Sequence, residues 1–486
     1  MERFFEDIAR FLDHRFWVSS FTAAEWVLRI LALVWVPRKR NDTAARAWLI
    51  TIFLFPWLGW LLFFLFGSAA LPEWRLERRR KYRKEIQPSA PVQSLLDPKR
   101  APVMEAFATR TAAMAQRLTS FPPVEGNEIR IINDYEKAIV ALIEAIDGAK
   151  HHVHLLYYIF DGDRTGRRVG DALKRAAARG VQVRVLADAL GSLTARFRFF
   201  PELVKAGVDV RSAFRIRDLR RSARLDLRNH RKILVVDGVL GFTGSQNLVS
   251  ARFKKGLVFE ELVARIEGPV VAELQVVFAG DWYTESEQLL DDTSYYPMPP
   301  PRKKGGAMQV LPSDSGFDHP TLERLLVSLV HRARKRIVLT TPYFIPEDGF
   351  LAALGTAVLR NVEVTLILPS RSDNFLVGYA QRSYYEELLA LGVKVQIYKP
   401  NFLHAKLFVI DDEVGAIGSS NMDVRSFALN AEVTMLLYDP DDVAKLQQEQ
   451  DRYLAKSQRF LESDLEKFGR WSWVLENITR LVSPLL

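Results

Sequence analysis

The chain has 486 residues, 48% of them hydrophobic, a formal net charge of +9 and no cysteine. That length calls for two or three folded units, and the missing cysteines exclude disulfides and thiolate metal sites. The positive balance points to an anionic partner, either nucleic acid or a surface of acidic lipid.

Two apolar segments come first. Phe16 to Val36 contains Glu25 and Arg29, spaced to pair on one helical face, and is read as spanning rather than interfacial. Ala47 to Phe66 (AWLITIFLFPWLGWLLFFLF) carries no charge over 20 residues, about the length that crosses a bilayer core, and Pro56 is tolerable in such a helix. Together they predict a two-helix membrane hairpin with both flanks on one side. Arg75, Arg78, Arg79, Arg80, Lys81, Arg83 and Lys84 follow the second segment, whereas only Arg38, Lys39, Arg40 and Arg46 lie between the two. The positive-inside rule then puts the C-terminal bulk in the cytoplasm, so the expected location is the inner (cytoplasmic) membrane, multi-pass, with that bulk on the cytoplasmic side. Residues 1–86 are read as the anchoring region and residues 87–128 as a linker with a candidate helix around Pro102 to Leu118.

The remainder looks duplicated, with one copy over residues 129–300 and another over residues 301–486. In the first, helix-like runs (Glu136 to Lys150, Gly166 to Arg179) alternate with the apolar strands HVHLLYYIF and VQVRVLAD. In the second, Leu322 to Arg334 and Gly349 to Leu359 alternate with IVLTTPYFIP and VEVTLILPS. This alternation predicts an α/β fold of two halves with mostly parallel, buried strands. Each copy then reaches an H-x-K-x-x-x-x-D motif, NHRKILVVDGVLGFTGSQN in the first and LHAKLFVIDDEVGAIGSSN in the second, 174 residues apart.

One such motif is a weak signal; two in the same strand-and-turn context are strong. Brought face to face, His230, Lys232, His404 and Lys406 form a phosphodiester site. The lysines neutralise the non-bridging oxygens, one histidine attacks phosphorus, and the other protonates the departing alkoxide and later deprotonates the incoming hydroxyl. Asn247 and Asn421, in the Gly-Ser-x-Asn runs that follow, are candidate donors to phosphate oxygens. Asp237 and Asp411 complete the motifs and are read as orienting neighbours rather than reacting. Each imidazole needs a carboxylate behind it. Glu261, 31 residues after His230, and Glu432, 28 after His404, are the candidates, with Glu260 a rival to Glu261. No metal and no cofactor is implied, since no carboxylate and histidine cluster has ligand spacing.

These residues resemble the phospholipase D superfamily and, more closely, its bacterial cardiolipin synthases. The likeness extends over nearly the whole chain, through HHVHLLYYIFDGD, RVLADALGS, TPYFIPEDGFLAAL, RSYYEELLALGVKVQIY, GSSNMDVRSFALNAEV and the terminal SPLL. The resemblance implies a pseudo-twofold α/β fold with the site between halves. It also implies a covalent phosphohistidine, by analogy on His230, with His404 as acid and base, and acids where Glu261 and Glu432 fall. The expected reaction is phosphatidyl transfer between two phosphatidylglycerol molecules, giving cardiolipin and glycerol, with the membrane as partner and no nucleic acid. A phospholipase D hydrolase, a transferase using another phospholipid donor and a superfamily nuclease are the alternatives. Ala187, where relatives often have tyrosine, and Asn374, where they often have histidine, depart from the pattern. Arg215, Arg217, Arg220, Arg221, Arg224 and Arg228 crowd the approach to His230, as a lipid entrance or as a solvated loop. Apolar residues from Trp471 to Leu485 recur at helical spacing and predict a helix docked on the second half, with bilayer contact as the alternative.

Overall fold

The computed structural model describes residues 14–39, 42–67, 71–86, 102–215, 226–297 and 305–482. Its first helix, α1 (His14–Lys39), has 26 residues and is roughly 39 Å long, enough to cross a hydrocarbon core of about 30 Å. The second apolar segment is not one helix. It divides into α2 (Asp42–Leu54) and α3 (Pro56–Phe66). Pro56 lacks an amide hydrogen and its ring excludes helical geometry at the residue before it. Phe55 accordingly turns out of the helix, at φ −134° and ψ 77°.

Beyond that turn α3 folds back on α2. The rings of Trp48 and Phe63 meet edge to face at 5.3 Å, although a straight helix would hold residues so spaced roughly 22 Å apart. A Cβ on Gly59 would lie 2.6 Å from Ile52 Cα, so only glycine permits this approach. The expected Glu25–Arg29 pair forms at 3.3 Å, and Arg29 Nε also donates to the Phe53 carbonyl at 3.2 Å, at the end of α2 that the proline opens. Trp60 Nε1 donates to the Leu28 carbonyl at 2.9 Å. The two-helix hairpin of the sequence reading is thus one long helix with a folded-back pair of short ones against it.

Helix α4 (Glu73–Ile86) carries the basic cluster onto the body. Arg75 pairs with Glu285 at 2.6 Å and is 1% exposed, and the Tyr82 hydroxyl donates to the Val276 carbonyl at 2.9 Å. Helix α5 (Ala106–Thr119) lies inside the expected linker but is part of the body. Its Ala108, Ala112 and Ala115 are buried with Leu322, Leu325 and Leu326 of the second copy.

The first half runs β1 (Val124–Ile132), α6 (Tyr135–Asp147), β2 (His152–Tyr157), α7 (Arg164–Ala178), β3 (Gln182–Asp188), β4 (Asp209–Ala213), β5 (Lys232–Val236), β6 (Leu240–Gly244), β7 (Val263–Glu267) and α8 (Val271–Ser286). The second repeats it as β8 (Gly306–Ser313), α9 (Thr321–Arg332), β9 (Arg336–Thr340), α10 (Asp348–Leu359), β10 (Glu363–Pro369), α11 (Phe375–Arg382), β11 (Lys394–Tyr398), β12 (Leu407–Ile410), β13 (Val414–Gly418), β14 (Glu432–Leu437) and α12 (Pro440–Leu454). The short strand β15 (Ser457–Arg459) and helix α13 (Arg470–Val482) finish the described chain.

These fifteen strands form one sheet in the order β15-β11-β10-β9-β12-β13-β14-β8-β1-β7-β6-β5-β2-β3-β4, and four two-residue strands pair apart from it, Phe344–Ile345 with Met422–Asp423 and Phe402–Leu403 with Phe259–Glu260. The order reads alike outward from the β8–β1 seam, which gives the pseudo-twofold relation. Strands joined by helices, β2-β3-β4 and β9-β10-β11, are parallel as expected. The remaining neighbours, including both motif strands, are antiparallel, so the sheet is mixed rather than mostly parallel. A tight turn after each motif strand forces this, because antiparallel strands alone accept so short a connection.

Candidate active site

Asp237 and Asp411 end the two motif strands in the left-handed region, at φ 53° and 54°, a conformation aspartate tolerates better than most residues. Their carboxylates bind backbone amides. Asp237 accepts from Lys150, His151 and His152 at 2.8 to 2.9 Å, and Asp411 from Lys335 and Arg336 at 2.7 and 2.9 Å and from Arg334 at 2.6 Å. Five strand residues, about 17 Å of chain, separate Asp237 from Lys232. Both aspartates, motif members read as orienting neighbours, hold the entry to the neighbouring strand, β2 or β9.

The histidines stand at the other end of those strands. His230 precedes β5 and His404 precedes β12. His230 Nδ1 lies 2.9 Å from both oxygens of Glu432, and His404 Nδ1 lies 2.8 Å from Glu261 Oε1. Spacing along the chain suggests that each acid serves its own copy, and the fold exchanges them. The cause is a pair of short parallel bridges across the halves. Asn229 pairs with Ala431, and Phe402 and Leu403 pair with Phe259 and Glu260. The His230 amide donates to the Ala431 carbonyl and the His404 amide to the Glu260 carbonyl, each at 2.8 Å. Glu260 is held elsewhere, by the Tyr398 hydroxyl at 2.6 Å and Arg452 at 2.8 Å, which leaves Glu261 as the acid at the imidazole.

Lys232 Nζ donates to the His230 carbonyl and Lys406 Nζ to the His404 carbonyl, each at 2.6 Å. Both lysines are nearly sealed from solvent. Burial lowers both, Lys232 to about 7 and Lys406 to about 8, against the opposing charges of Glu261 and Glu432, and the Lys406 charge adds to the lowering of Lys232. Burial also lowers His230 to about 4 and takes His404 well below its ordinary value. Both imidazoles are therefore neutral in the empty site. The carboxylates differ. Burial pushes Glu261 up to about 7 despite Lys406, whereas the close His230 Nδ1 contact, the Lys232 charge and Ser419 outweigh burial and hold Glu432 below its ordinary value.

The serines beside the two acids also differ in their contacts. Its Oγ donates to Glu432 Oε2 at 2.5 Å, while the equivalent Ser245 Oγ donates to the Leu262 carbonyl at 3.3 Å and Glu261 Oε2 is buried without a partner. Both serines follow glycines that the close strand approach requires. A Cβ on Gly244 or Gly418 would stand 2.3 Å from the carbonyl oxygen of Leu262 or Val433. Asn247 Oδ1 accepts the Ile159 amide at 3.1 Å, and Asn421 Oδ1 is buried without a partner.

Several neighbours escaped the sequence reading. Tyr158 lies 4.8 Å from the His230 ring and 5.4 Å from Lys232 Nζ, and Tyr343 lies 6.4 Å from the His404 ring. Asp373 bonds the Tyr343 hydroxyl and pairs with Lys254 at 2.5 Å. Arg231, the variable residue of the first motif, is buried between Asp281 (2.5 Å) and Asp314 (2.9 Å). The similar runs Tyr158-Ile159-Phe160 and Tyr343-Phe344-Ile345, one in each copy, mark the tyrosines in sequence, but nothing local marks Arg231. Of the two departures, Ala187 lies buried in β3 before Asp188, whose carboxylate accepts the Asn229 amide at 2.9 Å. Asn374 caps α11, accepting the Leu376 amide at 3.0 Å. Arg217, Arg220, Arg221 and Arg224 lie outside the described residues, and so does Leu485.

The profile described as "Cardiolipin synthase, PLD-like domain" matches residues 142–282 and 326–454, and "Phospholipase_D-nuclease N-terminal" matches residues 27–68. The chain is 32% identical to cardiolipin synthase A of Pectobacterium carotovorum, over all of both chains. It is 31% identical to cardiolipin synthase 1 of Bacillus cereus, over 99% of this chain and 97% of that one. The crystal structure of phosphatidylserine synthase from Haemophilus influenzae superposes with a TM-score of 0.59 at 17% identity, covering 78% of this chain and all of the other, a likeness of fold.

Proposed function

The chain belongs to the phospholipase-D-type cardiolipin synthases, phosphatidyltransferases with two phospholipase-D-like repeats, and from that membership we propose phosphatidylglycerol as both donor and acceptor. The observation that carries the mechanism is the exchanged pair of imidazole–carboxylate contacts beside two buried lysines. Lys232 and Lys406 take the charge of the phosphodiester oxygens. His230, neutral and donating its Nδ1 proton to Glu432, turns the Nε2 lone pair on phosphorus. A nitrogen–phosphorus bond forms and the phosphorus–oxygen bond to glycerol breaks. The leaving alkoxide takes a proton from His404 Nε2, replaced at Nδ1 from Glu261, whose raised carboxyl still carries one near neutral pH. In the second step the terminal hydroxyl of another phosphatidylglycerol gives its proton to His404 and its oxygen to phosphorus, and His230 is released. One phosphodiester is broken and one is made, so no nucleotide energy is spent. Transfer prevails over hydrolysis when acceptor lipid outcompetes water at the buried site.

The anchor places this chemistry at a membrane. Among the described residues one helix, over Trp17–Lys39, is long and apolar enough to cross. In this reading α1 spans once, and α2 and α3, each about 16 to 20 Å long, dip in and return on the side of Lys39. All the basic residues after α1 then share the cytoplasmic face with the catalytic body, which the two-span hairpin could not achieve for Arg38 to Arg46. Because the chain has no cysteine, single substitutions at Asp7, Thr43 and Glu77 report sidedness cleanly. An impermeant maleimide should label positions 43 and 77 from the cytoplasmic face and position 7 from the other. Labelling of 7 and 77 on one face with 43 opposite would restore the hairpin.

The substrate assignment is tested with purified enzyme in vesicles whose only phospholipid is phosphatidylglycerol. Cardiolipin and glycerol should appear in equal amounts. No product until a CDP-diacylglycerol or phosphatidylethanolamine donor is added, or phosphatidic acid as the main product, would overturn it.

A further inference from the structure

Helix α13 is amphipathic in the reverse sense to a helix docked by its apolar face. Its polar residues face the body. Glu476 and Thr479 are buried, Glu476 lies 3.3 Å from Arg382 of α11, and Arg480 donates to the Ser383 carbonyl at 3.3 Å and pairs with Glu387. Its apolar residues face away, with Trp473 63% exposed, Ile478 51% and Leu481 59%, and Val474 and Leu475 are exposed as well. A water-facing helix shows the opposite arrangement, and an apolar outer face is the signature of an interfacial one.

The neighbouring α11 continues that surface. Phe375 and Leu376, in its first turn, are exposed. They begin two residues after Asp373, which bonds the Tyr343 hydroxyl beside the His404 ring. The cleft beside α11, which Phe375 also lines, is basic, with Arg371, Lys399 and Arg459 in its wall, while its one acid, Asp464, is already engaged by Lys467 at 2.5 Å. An exposed aromatic and aliphatic face, cationic groups beside it and a catalytic histidine a few residues behind it together suit an anionic bilayer surface better than a protein partner.

We propose that the outer faces of α11 and α13 form a second lipid-contact surface, separate from the N-terminal anchor, which lays the His404 side of the site against anionic phospholipid. The N-terminal helices hold the enzyme at the membrane. The α11–α13 face orients it, so that a headgroup enters the buried site without leaving the bilayer plane. Lipid transfer at the site is a premise of this proposal.

The test uses the full chain in phosphatidylglycerol vesicles. A single Ile478→Cys label with an environment-sensitive fluorophore should shift to the blue and be quenched by nitroxide-bearing lipids. Emission that stays water-like, or that responds only to protein concentration as a second copy would make it, overturns the proposal. Independently, Trp473→Ser/Ile478→Ser should lower kcat/KM on vesicles by about tenfold and leave turnover of dispersed short-chain phosphatidylglycerol unchanged. Equal losses on both substrates, or none on vesicles, overturn it as well. Wild-type turnover of the dispersed lipid tests the transfer reading separately.

Discussion

The two halves of the catalytic body share a strand order and a motif but not an electrostatic setting. Around His230 the acid is fully engaged, with Glu432 held by the imidazole and by Ser419, and the motif loop is clamped by Arg231 between Asp281 and Asp314. Around His404 the acid has one free oxygen, the residue after the histidine is Ala405, and aromatic rings of Phe259, Phe402 and Tyr343 surround the imidazole. Duplication supplies equivalent groups, and a few unequal neighbours are enough to give them different protonation behaviour. The half with the firmly ionised acid suits a nucleophile. The half whose carboxyl titrates near neutral pH suits proton transfer.

The sharpest way to break this comparison is to remove each imidazole in turn. His230→Ala should reduce turnover by on the order of 10⁴ or more and abolish any covalent phosphatidyl-enzyme. His404→Ala should slow turnover comparably yet still form the adduct from a donor with an activated leaving group. Mass spectrometry of digests kept away from acid locates the adduct, and finding it on His404 alone would reverse the assignment.

The acids come next. Glu432→Gln should cost roughly 10³ in kcat, because the wrong tautomer of His230 is then favoured. Glu261→Gln should cost less and should remove the limb that Glu261 contributes near pH 7 to the rate profile. The lysines set the alkaline side. They lose charge as pH rises through about 7 for Lys232 and about 8 for Lys406 in the free enzyme, so kcat/KM should fall across that window. An anionic headgroup favours their charged forms, so the fall in kcat should lie at higher pH.

Arg231 tests the structural side of the asymmetry. Arg231→Ala leaves Asp281 and Asp314 buried with Arg79 as their shared ion-pair partner among the described residues, and should destabilise folding by about 3 to 5 kcal/mol, read by thermal unfolding. Arg79 and Arg231 outweigh burial and hold Asp314 at about 2. A lowered carboxyl stabilises the fold above its unfolded value near 4 and loses that contribution as pH falls toward 2. In the variant the acid loss should therefore begin at higher pH. Arg79 belongs to α4, so the same network ties the anchor's exit helix to the first motif.

The smallest effects belong to the motif aspartates. Asp237→Ala or Asp411→Ala strips the acceptor from three amides and should cost about 1 to 3 kcal/mol. With the variant kept folded at low temperature, kcat should stay within a few fold of wild type. A loss matching that of the histidine variants would return both aspartates to the chemistry.

Much of this was legible in the residues. The paired His-x-Lys motifs, the Gly-Ser-x-Asn runs and the acids are local patterns, and helix–strand alternation identifies the α/β halves. The packing of α5 onto the second copy is not legible in sequence, because its buried residues are alanines, and alanines signal a core only when a facing surface such as Leu322 to Leu326 is known. Arg231 was missed because its partners stand 50 and 83 residues away.

Sequence by itself determined which chemical groups the protein has and that each comes twice. That follows from motif spacing, which a strand and a turn preserve locally. Tertiary structure alone decided which acid serves which histidine, because the bridges at Asn229–Ala431 and Leu403–Glu260 join residues that are distant in the chain. It also decided that the uncharged stretch Ala47 to Phe66 is two helices. Hydropathy counts length, but the direction of the chain after Phe55 depends on whether Gly59 can close against Ile52 and whether Arg29 can meet the Phe53 carbonyl at the helix end before Pro56.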